Sequence, residues 1–258
     1  MTEDEIILTH ILQCRPIDLA INKPVLSDFQ QEQFDNYQRR RQEGEPLQYI
    51  LGTCNFMGLD LMVNNSVLIP RPETEQLVDQ ALKTFKGGYA LDLGTGSGNI
   101  AISLAKKVQH SQIVSVDNSM GALGTAKANA MIHEVANRIH FVQADMEVFC
   151  QNSKPSTLFD LIISNPPYIP TGLLASLPRD VRQEPVSALD GGADGLNFYR
   201  IIIKYTPRLL RRGACLMMEF GDGQVEEIKS LFEKYKKFSY IEIYQDLAGR
   251  DRIIKAVL

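Results

Sequence analysis

An α/β fold built on a mostly parallel sheet is what this sequence predicts, on three observations. From Tyr89 onward, short apolar runs alternate with helical segments, the pattern of a parallel sheet covered by helices on both faces. A glycine-rich loop, Gly94 to Gly98, joins the first of these strands to a helix. The last two strand-like runs are separated only by a short turn region. They must pair antiparallel, because a parallel return needs a long crossover.

The elements follow in order. The first fifty residues read as helical. Ser27 followed by Gln30 forms a capping-box pattern, and Gly44 stands where a helix stop belongs. Phe29, Phe34 and Tyr37 recur at helical spacing and are expected to form a packing stripe rather than a partner-binding face. Arg39, Arg40 and Arg41 are expected to be a solvated helix end. The run from Phe56 to Val63 carries a glycine turn and predicts a hairpin leading into an extended Val67-Leu-Ile-Pro70, where Pro70 and Pro72 stop the strand. Residues 73–82 read as a helix with acidic residues at its start. Strands are expected at 90–93, 113–116, 139–142, 159–164 and 214–220, and the closing pair at 240–246 and 252–258. Helices are expected at 99–108 and at 197–210, the latter bent at Pro207. The expected organisation is therefore a small helical domain at 1–50, a hairpin linker at 51–72 and a seven-stranded α/β domain at 73–258.

Composition narrows the function. The hydrophobic fraction of 44% supports a sizeable core. A net charge of −4 and a pI of about 5.6 mean that a nucleic-acid substrate would require a local basic patch. The stretch from Met1 to Ile6 lacks a signal-peptide layout, and no apolar run approaches the roughly 20 residues that cross a bilayer. Cys14, Cys54, Cys150 and Cys215 lie far apart and form no metal-like pair. They predict reduced thiols, no metal and a cytoplasmic setting.

The loop in Leu91-Asp-Leu-Gly-Thr-Gly-Ser-Gly-Asn-Ile100 has its glycines at Gly94, Gly96 and Gly98. Glycine lets backbone turn sharply and approach a ligand closely. The spacing differs from the G-x-G-x-x-G of dinucleotide sites. Asp92, at the strand end, would repel a pyrophosphate but attract the amino or sulfonium group of S-adenosylmethionine. Asp117 closes the next strand, the place for an acid that accepts from ribose hydroxyls, although Asp117 and Ser119 compete for a helix N-cap there. Asp145 could accept from an adenine amino group, and Met146 could pack on the ring or simply fill the core.

The apolar run from Phe159 leads directly into Asn165-Pro166-Pro167-Tyr168. Two prolines lock the backbone and remove two N–H donors. What remains is an array of acceptors: the Asn165 side-chain oxygen and backbone carbonyls, notably that of Pro166. Such an array suits a substrate –NH₂ group. An amide nitrogen is a poor nucleophile, because its lone pair is delocalised. Two acceptors holding its hydrogens can orient the nitrogen for in-line displacement, and positioning of this kind lowers a barrier by several kcal/mol. Tyr168 can stack on the planar group and offer a π-face to developing positive charge.

On these residues the sequence resembles the bacterial release factor glutamine methyltransferases over nearly its whole length. The resemblance rests on Gly44-Glu-Pro-Leu-Gln-Tyr-Ile-Leu-Gly52, Leu68-Ile-Pro-Arg-Pro-Glu-Thr-Glu75, Leu91–Gly98, Ser164–Ile169, Glu184-Pro185, Gly191-Gly-Ala-Asp-Gly-Leu196 with Tyr199-Arg200, and Asp246-Leu-Ala-Gly-Arg-Asp251. It implies a Rossmann-like class I methyltransferase fold, S-adenosylmethionine as cofactor, and methylation of the Gly-Gly-Gln glutamine of class 1 peptide chain release factors in translation termination. Gly94, Thr95, Gly96, Ser97, Gly98, Asp117 and Met146 would hold the cofactor, together with Asp145. Asn165, Pro166, Pro167 and Tyr168 would hold the glutamine, with Asn165 also near the transferred methyl group. Asn165, Pro166 and Tyr168 would be catalytic. Arg71, Pro72 and Thr74 would lie near the entrance of the site. Met146 departs from the aromatic frequent at that place in the family, and the N-terminal region is expected to lack one of the family's helices. A monomer is expected, acting without membrane or direct nucleic-acid contact. The competing expectation is a nucleic-acid amino-methyltransferase with a basic groove made from Arg208, Arg211, Arg212 and the cluster at 234–237. A scaffold that merely keeps the fold conflicts with the intact glycines and tetrapeptide.

Overall fold

A computed structural model of the protein describes residues 1–21, 24–154 and 156–258. Helices α1 (Glu3–Leu12), α2 (Pro16–Ile21), α3 (Asp28–Gln42) and α4 (Leu47–Leu51) open the chain. The capping box of α3 forms: Ser27 Oγ accepts from Gln30 N–H at 3.3 Å, and Gln30 Oε1 accepts from Ser27 N–H at 3.0 Å. Gly44 follows the helix end with φ +94°. The expected stripe of α3 packs only in part: Phe34 and Tyr37 are half-buried, and the Tyr37 ring centroid lies 6.2 Å from that of His10 in α1. Phe29 is 68% exposed and no residue of α3 is buried. Charge pairs also tie the helix down, Arg40 to Glu45 at 2.6 Å and Arg41 to Glu3 at 2.9 Å, so these two arginines are paired rather than a solvated end.

Strands β1 (Thr53–Phe56) and β2 (Leu59–Met62) form the predicted hairpin. Met57 and Gly58 both take positive φ at its turn, +54° and +77°, the geometry that matches the twist of two-residue hairpins. Phe56 and Leu61 are buried. The run Val67–Pro70 is extended but is not a strand. Its backbone groups are met by buried side chains: Val67 C=O accepts from the Tyr49 hydroxyl at 2.5 Å, and Ile69 N–H donates to Glu184 Oε2 at 3.0 Å.

Helix α5 (Pro72–Thr84) starts with proline at its first position and leads into the alternating region. This comprises β3 (Gly88–Leu93), α6 (Asn99–Lys107), β4 (Ser111–Asp117), α7 (Met120–Ile132), β5 (Ile139–Gln143), α8 (Met146–Asn152), β6 (Phe159–Ser164), α9 (Val186–Leu189), α10 (Asn197–Tyr205), β7 (Leu210–Glu219), α11 (Val225–Tyr235), β8 (Tyr240–Gln245) and β9 (Asp251–Val257). Helix α10 stops at Tyr205, and a separate 3₁₀ turn, Thr206–Arg208, holds Pro207. Proline there cannot continue the helical hydrogen bonding.

The seven strands lie in the order β5-β4-β3-β6-β7-β9-β8, all parallel except β9, which pairs antiparallel with β7 and β8. Central strands are apolar along their length, with Leu161–Ile163 and Leu216–Met218 fully buried, as expected where helices cover both faces. Chain order reverses between β3 and β6, which opens a crevice at the carboxyl ends of these strands. Among the described residues, no helix is long and apolar enough to cross a membrane.

Candidate active site at the carboxyl edge of the sheet

The glycine loop follows β3 into that crevice. Gly94 and Thr95 N–H both donate to Val116 C=O, at 2.9 and 3.1 Å, and Gly96 N–H donates to Asp117 Oδ2 at 2.9 Å. A Cβ on Gly96, whose φ is +54°, would meet only open space, so this backbone is bare toward the cleft. Gly98 does a different job. It begins α6 with φ +83°, and a Cβ there would come within 2.9 Å of Ile102 and 3.2 Å of Ala126. It permits helix packing and does not line the cleft.

Two carboxylates lie at this edge, Asp117 in the lining of the cleft and Asp92 buried outside it. Asp92 is fully buried; its Oδ2 accepts from Thr95 Oγ1 at 2.6 Å while its Oδ1 has no partner. Burial pushes this carboxyl up to about 7, against the Thr95 hydrogen bond and with help from Asp117. Ser97 Oγ is likewise buried without a partner. At the end of β4, Asp117 accepts from Ser119 N–H at 2.9 Å through Oδ1. Ser119, not Asp117, caps α7. Burial also raises Asp117, opposed by its backbone hydrogen bonds. Asp145 caps α8 by accepting from Val148 N–H at 3.0 Å. Met146 is buried in the core and at the same time forms a wall of the cleft, its Cε 3.7 Å from where a Gly94 Cβ would stand.

Strand β6 delivers Asn165 to the same edge. Its Nδ2 donates to Thr74 Oγ1 at 2.9 Å, and the Thr74 hydroxyl donates to Glu219 Oε2 at 2.7 Å. Thr74 is 2% exposed; it lies under the site rather than at its entrance. Arg71 reaches the cleft and is pinned by an ion pair to the buried Glu184. Pro166 is buried, and among the described residues no donor meets its carbonyl. Tyr168 is boxed in. A Cβ on Gly191 would lie 2.8 Å from Tyr168 Cα, and one on Gly221 would lie 2.9 Å from Tyr168 Cδ2. The Tyr168 carbonyl accepts from Gln224 Nε2 at 3.1 Å, and burial pushes the phenol up to about 12.

The result is a cleft open to solvent, with an empty volume of about 900 Å³ counted out to its mouth. Arg71, Thr74, Gly94, Thr95, Gly96 and Ser97 line it. So do Asp117, Asp145, Met146, Asn165 and Pro167. Gly98, Pro166 and Tyr168 stand outside the lining. Sequence reasoning missed Phe198 and Ser187, which line the cleft from the later loops. It also missed Glu219, whose only signal was a charge inside the apolar run Leu216-Met-Met-Glu-Phe220. The basic residues of the competing expectation are elsewhere. Arg211 pairs with Asp160 and Arg208 donates to the Cys150 carbonyl, at the amino edge of the sheet where Phe159 pairs with Leu210.

Two family models match the chain: "Methyltransferase small domain" over residues 73–175 and "PrmC N-terminal domain" over residues 2–52. A release factor glutamine methyltransferase of Geobacter sulfurreducens is 45% identical, covering 83% of this chain and 74% of its own. One from Nitratidesulfovibrio vulgaris is 42% identical, covering 98% and 86%. Among solved structures, a Pyrococcus furiosus methyltransferase aligns at TM-score 0.55 and 17% identity, over 86% of this chain and 98% of its own. The hMettl16 catalytic domain, solved with a MAT2A 3′ UTR hairpin, aligns at 0.63 and 14% identity, over 90% and 81%. At such identities these two establish the class I methyltransferase fold and nothing finer. Sequence identity over almost the full length settles the narrower question, and the chain belongs to the release factor glutamine methyltransferase family.

Proposed function

We propose that this protein transfers a methyl group from S-adenosylmethionine to the side-chain amide nitrogen, N5, of the glutamine in the Gly-Gly-Gln motif of a peptide chain release factor. The observation that carries the reading is Asn165. Its NH₂ end is turned to Thr74, to which one of its two hydrogens is donated, so its oxygen is the end left for the cleft, where it can accept from a substrate –NH₂.

The cleft fits the cofactor on its own features. Bare Gly96 backbone admits close approach. Asp117 uses one bond on each oxygen, which leaves a carboxylate free to accept two more from a ribose. The unpartnered Oδ1 of Asp92, buried just outside the lining, would become an anionic partner for the ammonium or sulfonium once that positive charge favours its ionised form. Asp145 and Met146 would hold the adenine, and Thr95 and Ser97 would frame the loop. When bound, S-adenosylmethionine supplies an electrophilic methyl carbon and leaves as S-adenosylhomocysteine.

The chain's own groups then act by position. Asn165 Oδ1 and the Pro166 carbonyl accept the two amide hydrogens, which orients the nitrogen lone pair toward the methyl carbon. Pro167 and Tyr168 keep the corner rigid, and Arg71 guards the mouth. The N–C bond forms as the S–C bond breaks. The methylated nitrogen is then strongly acidic and releases its proton to a carbonyl or water, so no strong base is needed. Residues 1–50 are assigned to docking the release factor, supported by exposed Ile17, Ile21 and Phe29 on that region. All these groups come from one chain, so a monomer suffices. Tritiated-methyl transfer tests the reading. Label should enter release factor protein and vanish when the Gly-Gly-Gln glutamine is changed to alanine; label entering RNA or DNA alone rejects it.

A further inference from the structure

We propose that Glu219, acting through the Thr74 hydroxyl, is a positioning residue that fixes which end of the Asn165 carboxamide faces the substrate, an inference that rests on Asn165 being the acceptor for the glutamine –NH₂. Hydrogen counting carries the case. The Thr74 hydroxyl owns one hydrogen and is 2% exposed, so water cannot substitute for its protein partners. It sits 2.7 Å from Glu219 Oε2 and 2.9 Å from Asn165 Nδ2. An ionised carboxylate can only accept. The hydroxyl must therefore donate to Glu219, and it can then only accept from Asn165. That forces the NH₂ end of Asn165 inward and its oxygen toward the cleft.

If Glu219 takes a proton on that oxygen, the hydroxyl's hydrogen is released. It can bond the Asn165 oxygen instead, and the amide turns its NH₂ outward. A donor then faces the substrate's donors, and the orientation that favours transfer is lost. Burying a carboxylate at the end of a buried apolar run is costly unless it is well partnered, so packing alone gives no reason for Glu219. The groups facing it are Glu73 and Thr74 from α5, Arg252 from β9, Tyr168 and Asn165 from the corner, and Tyr199 of α10, whose hydroxyl donates to the Glu219 carbonyl at 2.9 Å. Burial pushes the carboxyl up to about 7, opposed by the Thr74 hydrogen bond, reinforced by Glu73, and opposed by the charge of Arg252 and by a weaker direct hydrogen bond from the Asn165 side chain, which turns the same NH₂ end inward. The switch in acceptor geometry thus falls near neutral pH.

The test is steady-state methyl transfer to release factor at saturating cofactor, with pH profiles and calorimetric cofactor binding for each variant. Glu219→Leu and Thr74→Val should each lower kcat about a hundredfold with KM for the release factor within about threefold, as expected for an interaction made mainly in the transition state. The double variant should be little worse than either, because the two residues act as one unit. Thr74→Ser, which keeps the hydroxyl, should restore activity. Glu219→Gln should keep a substantial part of kcat and lose the acid limb near pH 7. Full kcat in Glu219→Leu or Thr74→Val with cofactor binding intact would overturn the inference, as would an unchanged acid limb in Glu219→Gln. Should Glu219→Leu fail to fold, the Thr74 pair and Glu219→Gln decide the matter. Asn165→Ala separates the two levels. If it loses activity while Glu219→Leu and Thr74→Val do not, only the positioning role fails; if Asn165→Ala is fully active, the underlying reading fails.

Discussion

Gly96 N–H donates to Asp117 Oδ2 at 2.9 Å, so the glycine loop and the carboxylate that ends β4 hold one another in place. The same carboxylate is assigned to the ribose. Asp117→Ala should therefore weaken S-adenosylmethionine binding by about tenfold to several hundredfold, the range for losing one or two hydrogen bonds to a charged acceptor. Asp117→Asn, which keeps one acceptor, should lose less. Isothermal calorimetry reads both, and unchanged affinity in the alanine variant would remove Asp117 from the cofactor site.

Asn165→Ala separates binding from chemistry. The side chain contributes to orientation of the amide nitrogen, so kcat should fall by about a hundredfold or more while cofactor affinity stays within roughly tenfold. Equal losses in affinity and rate would mean that Asn165 shapes the pocket and not the reaction.

Asp92 carries a conflict between stability and function. Its folded carboxyl titrates near 7, well above the ordinary value of about 3.9. The native state thus prefers the protonated form. That preference is fully present below about pH 4 and is lost as pH rises through 7, at about 1.4 kcal/mol per pH unit between those limits. Asp92→Asn cannot ionise, so its melting temperature should exceed that of the parent by a margin that grows from pH 5 to pH 7 and then levels off. The same variant should bind S-adenosylmethionine more weakly at pH 8, since a partner for its positive charge is gone. A variant with an unchanged stability profile would show that the buried acid does not titrate in this range.

The contrast between Asp117 and Glu219 shows what was legible in the sequence. The glycine loop, Asp117 and the Asn165–Tyr168 corner declare their chemistry locally, through residue type and strand-to-loop context. The seven strands declared themselves through apolar runs, and the closing hairpin through its short turn. Glu219 gave no comparable signal, because its meaning depends on meeting Thr74 and Asn165 from two other elements, with 145 positions separating Glu219 from Thr74. Val67–Pro70 misled for a related reason: an extended apolar run reads as a strand, yet its hydrogen-bond partners are the Tyr49 and Glu184 side chains. Phe29 misled because helical spacing identifies a face but not whether anything covers it. Gly98 kept the pattern of the loop while serving the packing of α6 against α7.

Glycines provide a last, graded test. A Cβ on Gly191 would stand 2.8 Å from Tyr168 Cα and from the Gly195 carbonyl oxygen; both are backbone atoms that cannot step aside. Gly191→Ala should therefore displace the Asn-Pro-Pro-Tyr corner, destabilise the fold by about 1–3 kcal/mol as overpacking does, and reduce kcat in the surviving folded protein. Gly124 is the matched control. It lies exposed inside α7, at a φ outside the left-handed region and with nothing within 4 Å of an added Cβ. Gly124→Ala should stabilise by up to about 1 kcal/mol through helix propensity alone, with kcat unchanged. Thermal melts and methyl-transfer rates on the two variants compare the effects directly. If Gly191→Ala were as stable and as active as Gly124→Ala, close backbone approach would not be what holds Tyr168 and the corner in place.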